Sequence, residues 1–482
     1  MKLFECVDNT FRILNCSLFK IKYKKGQTKF YAFGIPLFCV KNGFDAIRKD
    51  FDANKTFDVK RWDKQIDEIV ADYKNIGSCR PNPHRVAFLA TKIYDMGGHT
   101  KWMRDMQKTL SSDYEETLFL TTTRTSQKAA PQALEYLKSI SKIKTFNQFS
   151  CSFEKNIREI YDAIISYAPR AIFVFIHTDD IIATAVLALL KRHTKIKIFF
   201  VNHATDFPAL SVSFADLILE ETPSSAYVTQ KLRNVKRTHI VGLISKSEEE
   251  NPHFSEEEIA QTRLKMGIPQ NAICTMSGAA SRKFFDEDGS AYLEMIKKML
   301  EEHQNVWHVF ISELNAKEEI IYERIFQNCA VKNRLIRLPY QKNYELFFKC
   351  ADLFIDSFPM SSALTFVDLM RLRVPYIVKI NTQNAALSFH EYQAPDFPYM
   401  YNTVDEFYAG IEKLLADDAA RVAMVENNYQ HYLTHYEPKA AREVLQNILN
   451  CENLGKLYDK LDPNLYYSLN FNNTTENHKQ EN

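Results

Sequence analysis

Three histidines in the first half of the chain follow apolar, strand-like runs, and their side chains could carry acid–base chemistry. His99 lies in the stretch KIYDMGGHTKWM, His177 ends the run AIFVFIH, and His203 ends the run IKIFFVNH. A histidine with a pKa near neutral can take a proton from a hydroxyl group. Because the carboxyl ends of parallel strands meet at one edge of a sheet, we expect these side chains to face one cleft. We predict that His99 or His203 is the catalytic base.

Two glycines, Gly97 and Gly98, lie where a strand-like run changes into a helical pattern. Glycines at such a point let backbone amides approach a ligand, and the N-terminus of the helix favours negative charge. The spacing is not that of a dinucleotide-binding fingerprint, and a tight turn would also explain the pair. We expect this loop to contact an acceptor, the substrate that receives a transferred group.

Acidic residues follow two of the strand-end histidines. Asp179 and Asp180 come after His177, and Asp206 comes after His203. Adjacent carboxylates that open a helix are more often an N-terminal cap than a pair of metal ligands. We therefore predict no metal site, and we assign His177, Asp179 and Asp206 to acceptor binding.

A loop of small residues in the second half of the chain predicts a nucleotide site. The letters MSSA, which include Ser361 and Ser362, separate the run DLFIDSF from the helical pattern LTFVDLMRL. Small residues before a helix N-terminus form a cradle for phosphate. Asp368, one turn into the helix, is placed to accept hydrogen bonds from a ribose diol. Pro339 and Tyr340, at the end of the preceding strand, are assigned to the same donor site.

Two adjacent cations follow another strand-like run of the second half. Arg282 and Lys283 lie in the stretch SGAASRKFF, directly after the run AICTMSG. Cations on a loop at a strand end are suited to stabilise a leaving diphosphate. A solvated loop is the alternative interpretation. We assign both side chains to the donor site.

Apolar runs alternate with amphipathic helical patterns in two successive stretches, residues 81–245 and 255–452. Short continuous apolar runs between helices are typical of a parallel sheet that is buried on both faces. The polar segment SKSEEENPHFS between the stretches is the expected linker. The pattern predicts an α/β fold of two Rossmann-like domains that face each other across a cleft, the first holding the acceptor and the second the nucleotide.

The two ends of the chain lack this alternation. Residues 1–80 are expected to form a β-rich basic extension, since from Asn9 to Phe44 there are seven Lys or Arg and no acidic residue. Such a patch could hold the protein on anionic lipid or a charged glycan, with a solvated hairpin face as the alternative. Residues 453–482 are predicted to be a polar, partly disordered tail.

The composition argues against several classes of protein. The 61 Lys and Arg nearly cancel the 60 Asp and Glu, so no global field favours nucleic acid. Nine scattered cysteines contain no CxxC motif, so neither a zinc site nor a disulfide framework is predicted. The longest apolar run, IIATAVLALL, is too short to span a membrane. We expect a cytoplasmic protein that contacts the inner face of the plasma membrane peripherally.

The segment DLFIDSF, with Thr365, Asp368 and the run VPYIV, resembles the C-terminal domain of GT-B glycosyltransferases. It is most similar to the inverting group that contains the O-linked N-acetylglucosamine transferases and the HMW1C-like N-glucosyltransferases. The histidine and first threonine of that group fall on Ala363 and Leu364 here, which leaves the identity of the donor open. A lysine that contacts the nucleotide diphosphate in that group corresponds to Lys283.

The resemblance implies a glycosyltransferase that takes a UDP- or GDP-linked sugar as substrate and needs no cofactor. No glutamate lies between Glu345 and Glu391, so the Glu-x7-Glu signature of the retaining branch is absent, which favours inversion without a metal. The expected acceptor is a glycan, a lipid-linked glycan or a protein in bacterial surface glycan assembly (lipopolysaccharide, capsule or glycoprotein).

Two alternatives to this function stay open. One is a nucleotide-sugar epimerase or a polymer glycerophosphotransferase, which share the two-domain architecture. The other is a non-catalytic glycan-binding or scaffold protein, because the histidine of the family is replaced by Ala363.

Overall fold

Two parallel sheets, one after the other along the chain, organise the protein in a computed structural model. The structure describes residues 43–460 apart from 55, 96–97, 121–130, 147–152, 206, 287–288, 328, 363, 382–389 and 395. Within residues 1–42 it describes the backbone pairing of the strands. Gly97, Asp206 and Ala363 of the sequence predictions therefore lie outside the described residues.

The strands described within residues 1–42 form an antiparallel sheet in which each strand pairs with the next along the chain. They are β1 (Phe4–Val7), β2 (Thr10–Ile13), β3 (Cys16–Tyr23), β4 (Gln27–Ala32) and β5 (Ile35–Lys41). This sequential pairing agrees with the β-rich character expected for the start of the chain.

Two helices, α1 (Gly43–Ala53) and α2 (Lys60–Ala71), follow this sheet. The β-rich part therefore ends near residue 41, and not at residue 80 as expected. Apolar side chains recur every three or four residues in both helices and form one buried face. They include Phe44, Ile47, Phe51, Trp62, Ile66 and Val70. Because this face packs into the core of the first α/β unit, both helices belong to that unit.

In the described part of residues 82–240, parallel strands form the first α/β unit. The strands are β6 (Asn82–Ala90), β7 (Glu115–Leu120), β8 (Lys142–Thr145), β9 (Pro169–Phe175), β10 (Lys197–Val201), β11 (Leu217–Glu220) and β12 (Thr238–Ile240). The helices are α3 (Gly98–Leu110), α4 (Pro131–Ile140), α5 (Phe153–Tyr167), α6 (Ile181–His193) and α7 (Pro223–Lys231).

The strand order of this unit shows where a ligand would bind. The order is β12-β11-β10-β9-β6-β7-β8. Along the sequence, β7 and β8 are added on one side of β6, and β9 to β12 are then added on its other side. The neighbours β6 and β9 form the switch point of the sheet. In open α/β sheets, ligands bind outside the carboxyl ends of the strands at such a point.

The second α/β unit repeats this plan in the described part of residues 256–450. Its strands are β13 (Ile273–Gly278), β14 (Val306–Ile311), β15 (Leu335–Leu338), β16 (Leu353–Ile355), β17 (Tyr376–Lys379) and β18 (Met400–Tyr401), in the order β15-β14-β13-β16-β17-β18. Its helices are α8 (Glu256–Lys265), α9 (Ala291–Glu302), α10 (Ala316–Phe326), α11 (Tyr344–Lys349), α12 (Leu364–Arg371), α13 (Val404–Ala416), α14 (Asp418–His435) and α15 (Pro438–Asn450). The switch point lies between β13 and β16.

The apolar strands are explained by burial on both faces of the sheet. In β6, Val86 and Phe88 belong to one core cluster, whereas Ala87 and Leu89 belong to a second cluster on the opposite face. The first of these clusters continues into the second α/β unit. Apolar packing therefore connects the two units.

The last helix, α15, returns from the second unit to the first. Its buried residues Leu445 and Ile448 belong to the shared core cluster, and the helix packs against α3. Arg442 of α15 donates two hydrogen bonds, of 2.5 and 2.8 Å, to the carboxylate of Asp113. This helix therefore joins the two units at a point distant from the linker in sequence.

Part of the predicted polar tail is ordered. The backbone amide of Asp459 donates to the carbonyl of Thr238, and its carboxylate accepts from the amide of Ile240, so this segment lies beside β12. Residues 461–482 are outside the described residues. No helix in the described part of the chain has the length and apolarity needed to cross a bilayer.

Candidate active site

The two switch points face each other where the two units meet. A Cβ added to Gly98, the first residue of α3, would lie 3.0 Å from Cδ1 of Leu364, the first residue of α12. One turn further along α3, Nζ of Lys101 bonds the carboxylate of Asp368 on α12. The N-termini of α3 and α12 therefore border one cleft, and both present the positive end of a helix dipole to it.

The structure brings the three predicted histidines together on the first-unit side of this cleft. The ring centroids of His99 and His203 are 4.5 Å apart. Tyr94 shares a hydrogen bond of 2.9 Å with Nε2 of His177, and its ring centroid lies 6.0 Å from that of His99. Sequence reasoning missed Tyr94, although it lies in the same stretch as His99. These four residues are called the histidine cluster below.

His99 has protein partners on both ring nitrogens. Its Nε2 lies 3.1 Å from the carbonyl oxygen of Phe175, and its Nδ1 lies 3.3 Å from the hydroxyl of Thr100. Since a carbonyl only accepts, we assign the proton to Nε2 and the lone pair to Nδ1. Burial, with a smaller effect of His177, lowers the pKa of His99 to about 4. This ring is neutral and held in place, which fits a positioning role better than that of a base.

His203 is the better placed base of the pair. Its Nδ1 lies 3.2 Å from the carbonyl oxygen of Val201, so this nitrogen carries the proton and Nε2 keeps its lone pair. Among the described residues, Nε2 of His203 forms no hydrogen bond. Burial, followed by the neighbouring His99, lowers the pKa of His203 well below its ordinary value. A neutral imidazole with an open lone pair is able to accept a proton from a substrate hydroxyl.

The two carboxylates after His177 do not share a site. Asp180 caps α6, since its side chain accepts from the amide of Ala183 at 2.9 Å and from the hydroxyl of Thr91 at 2.5 Å. Asp179 lies nearer the surface, with its carboxylate 3.6 Å from the guanidinium of Arg48. The N-terminal cap favoured by the sequence is the arrangement present for Asp180.

On the second-unit side, Lys283 lies against the loop of small residues. It ends a short helical turn (Ser281–Lys283) that follows β13, and its Nζ donates to the carbonyl of Ser361 at 2.8 Å. The carbonyl of Lys283 accepts from the amide of Met360 at 3.4 Å. The predicted partner Arg282 is exposed on the same turn. Hydrogen bonds therefore hold Lys283 and the loop of small residues together.

A buried carboxylate that was not predicted as a site residue supports this loop. Asp356, directly after β16, accepts hydrogen bonds from the hydroxyl of Ser361 and, at 3.2 Å, from the amide of Ser362. Burial raises the pKa of Asp356 to about 8 against the opposing effect of these bonds and of Lys283. The only sequence signal was its place at the end of DLFIDSF, five residues before Ser361. Asp356 shapes the loop without facing solvent.

In this conformation protein groups occupy both carboxylate oxygens of Asp368, and its contact with a ribose stays a prediction. Its two oxygens accept from Nζ of Lys101, both at 2.9 Å, from the hydroxyl of Tyr344 at 3.0 Å and from Arg371 at 3.2 Å. Burial would raise the pKa of this carboxyl, but Lys101 and Arg371 together hold it below the ordinary value. Lys101 was not predicted, because its proximity to Asp368 arises only when α3 and α12 meet, whereas Arg371 lies three residues after Asp368 on the same helix and was overlooked.

The remaining predicted donor residues also belong to the second unit. Thr365 is half-buried in the first turn of α12, whereas Pro339 and Tyr340 are exposed after β15. Partial burial and the negative charge of Asp368 raise the pKa of Tyr340. The structure thus gathers the predicted donor residues on one side of the cleft and the histidine cluster on the other.

Comparison with known structures identifies the fold. The chain is similar to the Anabaena protein HepE in complex with UDP and glucose, with a TM-score of 0.59 and 11% identity over 76% of this chain and 98% of that chain. A glycosyltransferase from Rickettsia africae gives a TM-score of 0.61 and 8% identity over 76% and 97% of the two chains. The O-GlcNAc transferase of Thermobaculum terrenum gives 0.51 and 10% over 84% and 76%. By sequence, the chain matches no family model and no curated protein.

These similarities, together with the two facing parallel sheets, show that the chain has the GT-B fold. This confirms the predicted fold class of two Rossmann-like domains across a cleft. A fold is shared by proteins of different activity, so only the chemistry of the site can indicate the function.

Proposed function

We propose that this protein is a glycosyltransferase that moves a sugar from a nucleotide sugar to a hydroxyl or amide group of an acceptor. The observation that supports this most directly is the opposite chemistry at the two facing switch points. Lys283 and the N-terminus of α12 offer positive charge for a diphosphate. The histidine cluster, 4.5 Å between its two closest rings, offers neutral imidazoles for a proton.

The donor is a UDP- or GDP-linked sugar bound mainly by the second unit. Its diphosphate would lie at the N-terminus of α12, near Lys283, Ser361 and Thr365, and its ribose would lie near Asp368. UDP in the complex of the structurally similar HepE supports a uridine nucleotide as the first candidate.

The reaction is a single displacement with His203 as base. Nε2 of His203 takes the proton of the acceptor hydroxyl while the oxygen of that hydroxyl forms a bond to the anomeric carbon of the donor sugar. The bond from that carbon to the diphosphate breaks, and the leaving nucleoside diphosphate keeps the electron pair. Lys283 and the α12 dipole stabilise the developing negative charge, so inversion needs neither a covalent enzyme intermediate nor a metal.

The acceptor is a surface glycan or its lipid-linked precursor, and the enzyme works at the inner face of the plasma membrane in the cytoplasm. The basic composition of residues 9–44, which carry seven Lys or Arg and no acidic residue, supports contact with anionic lipid.

Replacement of the base tests the mechanism. After a thermal-shift screen has selected the nucleotide sugar that stabilises the protein, His203→Asn should reduce turnover by about a hundredfold or more, because general-base catalysis contributes roughly 10²–10⁴-fold. The affinity for the nucleoside diphosphate, measured by calorimetry, should stay the same, since His203 lies on the acceptor side. The matched control is His84→Asn, which changes an exposed histidine at the opposite end of β6.

Three outcomes would contradict the proposal at different points. Normal turnover in His203→Asn would remove His203 as the base. An epimer formed from the donor without any acceptor would indicate an epimerase. A wild-type protein that binds neither UDP nor GDP would exclude nucleotide-sugar transfer altogether.

A further inference from the structure

A network of side chains with alternating charges lies in the interior where the two units meet. Lys101 of α3 pairs with Asp368 of α12, Asp368 pairs with Arg371, Arg371 pairs with Glu345 of α11, and Glu345 pairs with Lys246 of the linker. The side chain of Arg371 is fully buried, and those of Asp368 and Lys101 are 6% and 17% exposed. Charges this deeply placed require close partners.

The positive charges in this network of five side chains outnumber the negative charges. Its three cations, Lys101, Arg371 and Lys246, face two carboxylates, Asp368 and Glu345, which leaves a net charge of +1. The nearby carboxylate of Asp105 does not offset this charge, because it pairs with its own neighbour Arg104 at 2.8 Å. An anion would stabilise a partly buried network that has an excess cation. The anion would be bound most favourably at the end of the network that borders the cleft.

Lys101 is that end. It lies one turn after Gly98, whose backbone contacts the first residue of α12, and α12 begins directly after the loop that Lys283 and Asp356 hold. Its ammonium, on a flexible four-carbon stem, therefore lies near the positive ends of two helices and near the place proposed for the diphosphate.

We propose that Lys101 is the diphosphate-binding residue of the first unit, and that Asp368 holds it until a donor arrives. When a nucleoside diphosphate enters, the ammonium of Lys101 moves from Asp368 to the phosphate oxygens, and the freed carboxylate oxygens accept the ribose hydroxyls. No covalent bond changes in this exchange. The diphosphate supplies the missing negative charge, and the first unit thereby takes part in donor recognition. This inference rests on the proposed function, because it assumes a nucleoside diphosphate in the cleft.

The test compares two probes, UDP and uridine, by calorimetry on the full chain. GDP and guanosine are used in the same way if that pair binds better. In Lys101→Met the dissociation constant of UDP should rise at least about tenfold, whereas that of uridine should change less than about twofold, since uridine has no phosphate. Lys101→Arg, which keeps the charge, should retain most of the preference for UDP over uridine. Lys64→Met, an exposed lysine of α2, is the control.

A purely structural role gives a different result. If Lys101 only holds Asp368 in place, Lys101→Met weakens UDP and uridine by the same factor, and that outcome overturns the inference while nucleotide binding by the wild type still supports the proposed function. A wild type that binds neither nucleoside diphosphate overturns both. Should Lys101→Met not fold, Lys101→Gln, which still donates a hydrogen bond to Asp368, replaces it under the same criterion.

Discussion

At the scale of single residues, hydrogen-bond partners decide which histidine can act as a base. His99 lies in the first turn of α3 and His203 lies just after β10, and both are neutral because burial lowers the pKa. The difference is that both nitrogens of His99 are engaged by protein atoms, while His203 keeps one lone pair open among the described residues. Two residues of one type, 4.5 Å apart, therefore have separate roles.

The lowered pKa of these histidines predicts how stability depends on pH. In the unfolded chain a histidine titrates near 6.5, whereas His99 in the folded protein titrates near 4. Between these values the unfolded state binds more protons, so the free energy of unfolding should fall as the pH is lowered from about 6.5 to about 4 and should then level off with respect to this group.

Urea denaturation at several pH values measures this effect. The midpoint of His99→Gln should fall less between pH 7 and pH 4.5 than that of the wild type, because the variant no longer has this proton uptake. His84→Gln, which removes an exposed histidine, should follow the wild type. Parallel curves for His99→Gln and the wild type would show that His99 is not buried in the way described.

At the scale of elements, the geometry of the site depends on two helix N-termini that meet. The first residue of α3 is a glycine because a side chain there would crowd Leu364 of α12. The absence of a Cβ lets the α3 backbone approach the loop that carries Ser361 and Ser362. Gly98 thus permits the close approach of two helices, whereas its predicted contact with the acceptor stays a prediction.

A larger residue at this contact should separate the two helices. We expect Gly98→Val to lower kcat/KM at least about tenfold with a shift of only a few degrees in Tm, because the branched side chain pushes on Leu364 while the cores of both units stay packed. Gly98→Ala should have a smaller effect, since its single Cβ meets the flexible end of a leucine at 3.0 Å.

A second substitution checks that the effect arises from this contact. Leu364→Ala creates space opposite the valine, so the double variant Gly98→Val with Leu364→Ala should recover part of the lost activity. If the two effects simply add, α3 and α12 are not coupled at this point.

At the scale of the whole molecule, the return of α15 to the first unit links the two halves of the cleft. Its buried face extends the shared core, and its Arg442 binds Asp113 in the turn that follows α3. The two units are therefore connected through apolar packing as well as through the linker and the buried charges. The orientation of the cleft depends on all three connections.

Truncation of one core side chain of α15 should lower the stability of the first unit. Leu445→Ala should lower the free energy of unfolding by about 2–5 kcal/mol, because it leaves a cavity in the shared core. In a Trp307→Phe background, tryptophan fluorescence during urea denaturation reports on the first unit, where Trp62 and Trp102 are buried. Glu443→Ala, on the exposed side of the same helix, should leave the midpoint unchanged.

Much of the architecture was predictable from the sequence because it depends on local periodicity. The alternation of apolar runs and helical patterns indicated two parallel sheets, and strand-end positions indicated His99, His203, Lys283 and the loop with Ser361. The helices α1 and α2 were missed, although their apolar residues recur every three or four positions. The prediction extended the β-rich pattern of residues 1–41 over them.

The partners of these residues were decided by the tertiary structure. Lys101 and Asp368 are 267 positions apart in sequence, and only the packing of α3 against α12 brings their charges to 2.9 Å. In the same way, the carbonyls of Phe175 and Val201 determine which nitrogen of each histidine holds the proton. Sequence patterns locate chemical groups at strand ends, but the charge, tautomer and free lone pairs of those groups depend on long-range contacts that no local pattern contains.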